Sequence, residues 1–122
     1  MSEPSVVTPE QRSVPAQLQT PAIHREQAFA DEGRWIGHVT TTPGEWSGWH
    51  HHAANDTYFY ILRGALEIET AEGSVIQARS GDFALVPGHT VHRERTPGEA
   101  VEAVVMRLGT GPTVVNVDGP KA

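Results

Sequence analysis

Apolar and polar residues alternate in short runs through most of the chain, and turn-forming residues separate the runs. In the run 66–69, Leu and Ile alternate with Glu, which is typical of a strand with one buried face. Pro, Gly, Ser and Asp at 43–44, 80–82 and 87–88 close the runs at the spacing of sandwiches and barrels. We find no long segment with the 3.6-residue period of an amphipathic helix.

The pattern predicts about eight to ten short strands and an all-β fold, an antiparallel double-sheet jelly roll or barrel. The predicted strands cover residues 34–42, 49–52, 57–63, 66–69, 75–78, 83–86, 91–95 and 101–108, with a candidate edge strand at 114–115. The apolar run 101–108 is expected at the centre of a sheet. The preceding segment 21–31 is consistent with either an extended chain or a brief helical turn.

A chain of 122 residues is expected to form one domain. Residues 1–20 contain three prolines and no aromatic residue, which predicts a flexible N-terminal arm. The barrel domain is expected to cover residues 21–118, and residues 119–122 form a predicted tail.

Charge and cysteine content narrow the classes of function. The formal net charge of −6 argues against a nucleic-acid binder and gives no support to binding an anionic membrane. The absence of cysteine excludes disulfides, thiolate metal sites and cysteine nucleophiles. Because the sequence contains no secretory-signal pattern and no apolar run of about 20 residues, we expect a cytoplasmic protein.

Three consecutive histidines, His50, His51 and His52, are the most distinctive feature of the chain. In an extended strand alternate side chains share a face, so His50 and His52 are expected to point one way and His51 the other. Two imidazoles on one face provide half of a metal site, and another strand would have to supply the rest.

The surrounding residues resemble the first motif of the cupin family. That motif has a glycine, five residues, His-x-His, three or four residues, a glutamate, six residues and a glycine. Gly44, His50, His52 and Gly64 stand at the corresponding positions, and Thr57 occupies the place of the glutamate.

A second stretch resembles the second cupin motif, in which a glycine and five residues precede Pro-x-Gly, two residues, a histidine, three residues and an asparagine. Gly81, Pro87 and His92 are in register, whereas His89 replaces the motif glycine and Thr96 replaces the asparagine. With both motifs in order, the chain is similar to a small single-domain cupin. The resemblance implies an antiparallel double-stranded β-helix.

The resemblance also implies that His50, His52 and His92 bind a divalent transition metal, with Fe favoured and Zn, Ni, Cu or Mn as alternatives. The usual fourth ligand is missing at Thr57. Asp56 is an alternative ligand if a bulge re-aims it, since a shift of one residue along a strand reverses the face. Three neutral ligands would leave the charge of the metal uncompensated, which predicts a small organic anion as substrate or ligand.

Several functions are compatible with such a site. An Fe(II)-type dioxygenase is favoured, because three histidines leave coordination positions for both substrate and dioxygen. A zinc-type lyase, cyclase or isomerase and a non-catalytic cupin that binds or senses a small ligand are the alternatives. A homodimer is expected from the resemblance, and from the need to cover open sheet edges.

No catalytic residue is assigned from the sequence, and two candidates remain open. His38 lies in a predicted strand and could face the cavity as a general base or a ligand, although an ordinary strand histidine is the preferred interpretation. Glu94 shares the strand face of His92 and could orient a ligand or act as an acid or base. For Glu94 a solvated strand end is preferred.

Overall fold

A computed structural model describes residues 3–120 as ten strands in two five-stranded antiparallel sheets. The strands are β1 (Ile23–Asp31), β2 (Arg34–Thr41), β3 (His50–His51), β4 (Asp56–Arg63), β5 (Ala65–Thr70), β6 (Val75–Arg79), β7 (Phe83–Val86), β8 (His92–Arg95), β9 (Val101–Leu108) and β10 (Val115–Asn116). The order is β1-β2-β9-β4-β7 in the first sheet and β10-β3-β8-β5-β6 in the second. The predicted all-β fold is therefore confirmed.

The core lies between the two sheets and follows from the alternation within the strands. On β9, Val101, Ala103 and Val105 are buried in turn, and β4 contributes Phe59 and Ile61. The second sheet adds its own apolar residues to the same core. β9 lies between β2 and β4, so the prediction that it is a central strand is confirmed.

The strand β1 is the largest segment whose structure was left open by the sequence prediction. Residues 21–31 were compatible with an extended chain or a helical turn, and the structure forms a strand from Ile23 that pairs with β2 along its length. Inner residues such as Ile23 and Arg25 are buried, but the second half of the strand is half-buried or exposed. The alternation is therefore weak, and pairing with β2 determines the strand.

The segment before β1 differs from the predicted flexible arm. Pro9–Gln11 and Ala16–Leu18 each form a single turn of 3₁₀ helix. The backbones of Ser13 and Gln27 exchange two hydrogen bonds of 3.0 and 2.7 Å. This segment thus covers the free edge of β1 in its own chain. Residues 1 and 2, and residues 121 and 122 of the predicted tail, lie outside the described residues.

In residues 3–120 there is no helix long and apolar enough to cross a membrane.

Candidate metal centre

Two strands of the second sheet bring together the three histidines of the cupin-like motifs. His50 on β3 and His92 on β8 are cross-strand partners, and His52 follows directly after β3. All three are buried, with ring centroids 4.3 to 5.2 Å apart. One ligand nitrogen from each histidine lies within 4.8 Å of the others. The structure therefore assembles the three residues that the sequence singled out.

Backbone carbonyl groups fix the orientation of all three imidazole rings. The Nδ1 atoms of His50, His52 and His92 lie 2.9, 2.6 and 2.8 Å from the carbonyl oxygens of Gly48, Thr113 and Thr90. Because a carbonyl only accepts, each Nδ1 carries the proton and donates, which leaves the lone pair on Nε2. This arrangement is typical of metal-binding histidines, whose second nitrogen is held by a carbonyl or carboxylate.

The opposite nitrogens of these rings are buried and open. We call them the open imidazole nitrogens (Nε2 of His50, His52 and His92), because none has a hydrogen-bond partner within residues 3–120. A buried polar atom without a partner is uncommon in folded proteins, and these three nitrogens fit the role of ligands to a cation.

The carboxylate of Glu94 lies beside two of the open imidazole nitrogens. Glu94 is on β8 two residues after His92, is buried, and its Oε2 is 3.3 Å from Nε2 of His92 and 3.4 Å from Nε2 of His50. The preferred prediction of a solvated strand end was wrong. The signal was already in the strand parity, because Glu94 must share the inward face of His92 while Arg93 and Arg95 point outward.

Burial sets the protonation states of this group. It lowers the pKa of His50 to about 4 and also lowers the pKa of His52, to which the charge of Arg107 contributes. The Glu94 carboxylate, 3.3 to 3.4 Å from two of the open imidazole nitrogens, adds oxygen donors beside them. The three neutral imidazoles thus direct lone pairs to one place, with a carboxylate beside two of them. A divalent transition metal fits this set of nitrogen and oxygen donors.

The position of the family's glutamate faces the same interior. Thr57 is buried on β4 and shares its face with Phe59 and Ile61, as the alternation predicted. Asp56 is exposed, and its Oδ1 accepts a 2.9 Å hydrogen bond from the backbone N–H of Gly88. The hypothesis that Asp56 is re-aimed towards the histidines is not supported, because the side chain holds the turn after β7 instead.

Two buried arginines complete the polar interior, and the sequence analysis missed both. Arg107 is on β9 with its guanidinium 4.6 Å from the ring centroid of Trp35, and burial lowers its pKa well below the ordinary value. Arg25 on β1 donates from Nη1 to the carbonyl of Leu18 and to Oγ1 of Thr20, each at 2.7 Å. Both alternate in register with the inward-facing apolar residues of their strands, and this alternation could have predicted their burial.

The remaining histidines with a predicted role lie outside this centre. His51 points away from it, and its Nδ1 accepts a hydrogen bond from the backbone N–H of Ala53. His38 is on the outer face of β2, with Nε2 3.2 Å from Glu102 and Nδ1 3.6 Å from Glu26. The idea that His38 faces the cavity as a general base or ligand is thus wrong, since the inward positions of β2 belong to its neighbours.

His89 occupies a glycine position of the second motif for a conformational reason. Its φ is +61°, in the left-handed region that glycine adopts with little strain. The residue sits in the turn between β7 and β8, and it contributes no atom to the group of three histidines.

Comparison with known proteins places this fold and its motifs in a family. A family model described as a cupin domain matches residues 37–108. An uncharacterized protein, YdbB of Bacillus subtilis, is 38% identical over 48 residues, which span 39% of this chain and 42% of that protein.

Solved structures with similar folds cover nearly the whole chain. An uncharacterized protein with a double-stranded β-helix domain from Klebsiella pneumoniae has a TM-score of 0.72 at 16% identity, over 95% of this chain and 99% of that one. A Streptomyces PAC13 variant with uridine has a TM-score of 0.76 at 14% identity, over 99% and 95%. Since the family model matches more than half of its residues, the chain belongs to the cupin family.

Proposed function

We propose that this cupin binds one divalent transition metal through His50, His52, His92 and Glu94 and acts as an Fe(II)-type dioxygenase on a small organic anion. One observation carries the proposal. The open imidazole nitrogens converge, each imidazole is held on the far side by a backbone carbonyl, and the Glu94 carboxylate lies beside two of the three. Without a cation between them, these lone pairs would repel one another.

Glu94 changes the charge expected at the centre. The sequence suggested three neutral ligands, because Thr57 replaces the family's glutamate. Glu94 offers a carboxylate from β8 instead, and its Oε2 is already 3.3 to 3.4 Å from two of the open imidazole nitrogens. A carboxylate ligand cancels one unit of the metal's charge, so the centre needs no anion for that purpose alone.

The number of donors favours an octahedral metal. Four protein ligands would saturate tetrahedral zinc, whose catalytic sites keep an open position, but they would leave two positions on a six-coordinate ion. Such an ion would keep positions for a small organic anion and for dioxygen, and ferrous iron, when bound, would supply the one-electron chemistry that dioxygen requires. The donor set therefore favours an Fe(II)-type enzyme over a zinc-type lyase, cyclase or isomerase.

Other residues of the barrel would exclude water from the centre and fix the loops around it. Phe59 and Ile61 provide an apolar wall on the face of Thr57. The segment 109–114 lies against His52 through the carbonyl of Thr113. Asn55 anchors this segment by donating from Nδ2 to the carbonyls of Thr110 and Pro112, at 3.2 and 3.0 Å.

Metal analysis of anaerobically purified protein, followed by oxygen-uptake measurements with a panel of small carboxylic acids, tests the proposal. We expect iron in a one-to-one ratio and oxygen consumption that depends on one class of acid. The His92→Ala variant should lose both, and His51→Ala, with its outward side chain, should retain both.

The alternatives give different results. Stoichiometric zinc with no oxygen uptake would replace the dioxygenase with a lyase, cyclase or isomerase. Binding of an acid to the metal-loaded protein with no turnover would indicate a non-catalytic ligand-binding cupin.

A further inference from the structure

The barrel interior contains a second set of open polar atoms, and these are donors. They are Nε and Nη1 of Arg107, Nε of Arg25 and Oγ1 of Thr57, all buried and without a hydrogen-bond partner in the described part of the chain. We call them the open donors. The open imidazole nitrogens carry lone pairs that suit a cation. The three positively charged N–H groups and the hydroxyl are donors that suit an anion.

The surroundings of Arg107 do not compensate for its burial. Stacking on Trp35 provides a cation–π attraction but accepts no N–H hydrogen bond. Arg25 is a second buried guanidinium, and Glu94 is the acidic residue among the buried side chains of residues 3–120. The interior therefore holds more positive than negative charge even before a divalent metal is counted, and leaving a buried charge unpaired is strongly unfavourable.

Threonine at the position of the family's glutamate leaves no carboxylate on the strand beside Arg107. Thr57 on β4 and Arg107 on β9 are cross-strand partners with both side chains directed inward. Such partners have Cβ atoms about 5 Å apart. A glutamate at this position would bring a second carboxylate into the interior that contains this guanidinium, whereas threonine brings none.

We propose that Arg107, assisted by Arg25 and Thr57, binds the carboxylate group of a small organic acid beside the histidine centre. The substrate carboxylate takes the role towards Arg107 that a glutamate at position 57 would have. This inference rests on the proposed function for what happens to the acid, but binding of the carboxylate by Arg107 can be measured without turnover. It assigns the substrate class as carboxylic acids and explains why Thr57 is tolerated.

Side-chain NMR of the full chain tests the inference directly. The Nε–H signal of Arg107 is followed while acetate, glycolate or benzoate is added, and the matching amides, acetamide, glycolamide and benzamide, are added in parallel. We expect at least one acid to shift this signal saturably and its amide, which has a similar size and no charge, to leave it unchanged.

Variants separate recognition from stability. Arg107→Gln should weaken binding of the acid about tenfold or more, the range for hydrogen bonds to a charged group. Arg63→Gln, which removes an exposed guanidinium paired with Glu102, should bind the acid like the wild type. Where Arg107→Gln does not fold, Arg107→Lys retains the charge without the planar fork and should still bind more weakly.

The outcomes distinguish this inference from the proposed function. If none of the three acids shifts the Arg107 signal, or if acids and amides bind equally, Arg107 does not recognise carboxylates and the inference is overturned. A carboxylate-specific shift in a protein that retains no metal would support the inference and contradict the metal-dependent function.

Discussion

At the scale of single residues, the departure from the family pattern that bears on the metal is the position of one carboxylate. Thr57 stands where the first motif has glutamate, and Glu94 reaches the histidines from β8 in the opposite sheet. The donor set remains similar, but the strand beside Arg107 carries no carboxylate. A change at one position thus has consequences for both metal binding and anion binding.

Replacing Glu94 should weaken metal binding while preserving the barrel. Glu94→Gln keeps the shape of the side chain but removes the negative charge beside the open imidazole nitrogens. Since groups that merely orient metal ligands contribute about 10- to 100-fold to affinity, we expect a loss of about tenfold or more. Competition with a chelating dye measures the affinity for Co²⁺.

Glu69→Gln is the matched control, because Glu69 lies on the neighbouring strand with its carboxylate 2.7 Å from Arg93 on the outer face. Its affinity for Co²⁺ should equal that of the wild type. Equal affinities for Glu94→Gln and the wild type would exclude Glu94 as a ligand.

The buried histidines should make the metal-free protein sensitive to mild acid. The pKa of His50 is lowered by burial from 6.5 to about 4, so between these values the unfolded chain takes up a proton that the folded chain does not. The free energy of unfolding should therefore be fully present above pH 6.5 and decrease as the pH falls towards 4. Urea denaturation of chelator-treated protein at pH 7.5, 6 and 5 measures this change.

The His50→Gln variant should show a smaller decrease over the same range, because that proton uptake is removed. A wild-type free energy of unfolding that is constant between pH 7.5 and 5 would contradict the buried, neutral state of His50.

Motif spacing and strand parity correctly predicted the inward orientation of His50, His52 and Thr57. Glu94 and Arg107 had the same inward parity, but a charged residue in a strand is normally assigned to solvent because its burial is costly. That cost is offset by groups on other strands, which a single strand pattern does not reveal.

At the scale of elements, the turn between β7 and β8 leads directly into His92, the first residue of β8, and its backbone is strained. His89 has a φ of +61°, and its backbone N–H donates a 2.7 Å hydrogen bond to the carbonyl of Ala53. The turn therefore joins the loop after His52 to the start of β8. The family's glycine at this position would adopt the same conformation without a Cβ penalty.

Restoring the glycine should stabilise the protein. His89→Gly removes a left-handed penalty of about 1 to 2 kcal/mol, partly offset by about 0.5 to 1 kcal/mol from the greater freedom of glycine in the unfolded chain. We expect a net gain of about 0.5 to 1 kcal/mol in the free energy of unfolding, measured by urea denaturation. The backbone hydrogen bond to Ala53 does not depend on the side chain.

His89→Ala provides the comparison, because alanine keeps the Cβ and should give no such gain. A His89→Gly variant that is no more stable than His89→Ala would show that the turn is not strained.

Strands were predicted where alternation was regular, and less well where pairing decided the structure. The bounds of β7 and β9 agree with the predicted ranges, and β4 begins one residue earlier. In β1 the outer half is not buried, so no hydrophobic face marks it in the sequence. The 3₁₀ turns before β1 are held by contacts with Gln27 and Arg25, which are invisible to a local pattern.

At the scale of the whole molecule, the outer faces of the two sheets differ in character. The second sheet carries ion pairs between Glu67 and Arg95 and between Glu69 and Arg93. The first sheet exposes what we call the outer apolar face, which consists of Tyr60, Leu62, Phe83, Leu85, Val104, Met106 and Leu108. Contiguous exposed apolar residues of this kind indicate an interaction surface.

We propose that the outer apolar face is the contact of the homodimer expected from the sequence, with a second copy of the chain as its partner. Phe83 is 82% exposed on the edge strand β7 and packs against Tyr60 of β4. Phe83→Asp should convert a dimer to a monomer in sedimentation-velocity measurements.

Val75→Asp is the matched control, since Val75 is an exposed apolar residue on β6 of the other sheet and should leave the dimer intact. A monomeric wild type, or a Phe83→Asp variant that remains dimeric, would contradict the proposed contact.

The central claim is that a divalent metal occupies the place where the inward histidines and Glu94 converge. Metal content per chain, measured by mass spectrometry on wild type, His50→Ala and His51→Ala purified side by side, tests it most directly. These variants remove neighbouring imidazoles of which one points into the barrel and the other out of it. We predict one metal per chain in wild type and His51→Ala and almost none in His50→Ala, whereas equal metal content in the two variants, or none in the wild type, would contradict the claim.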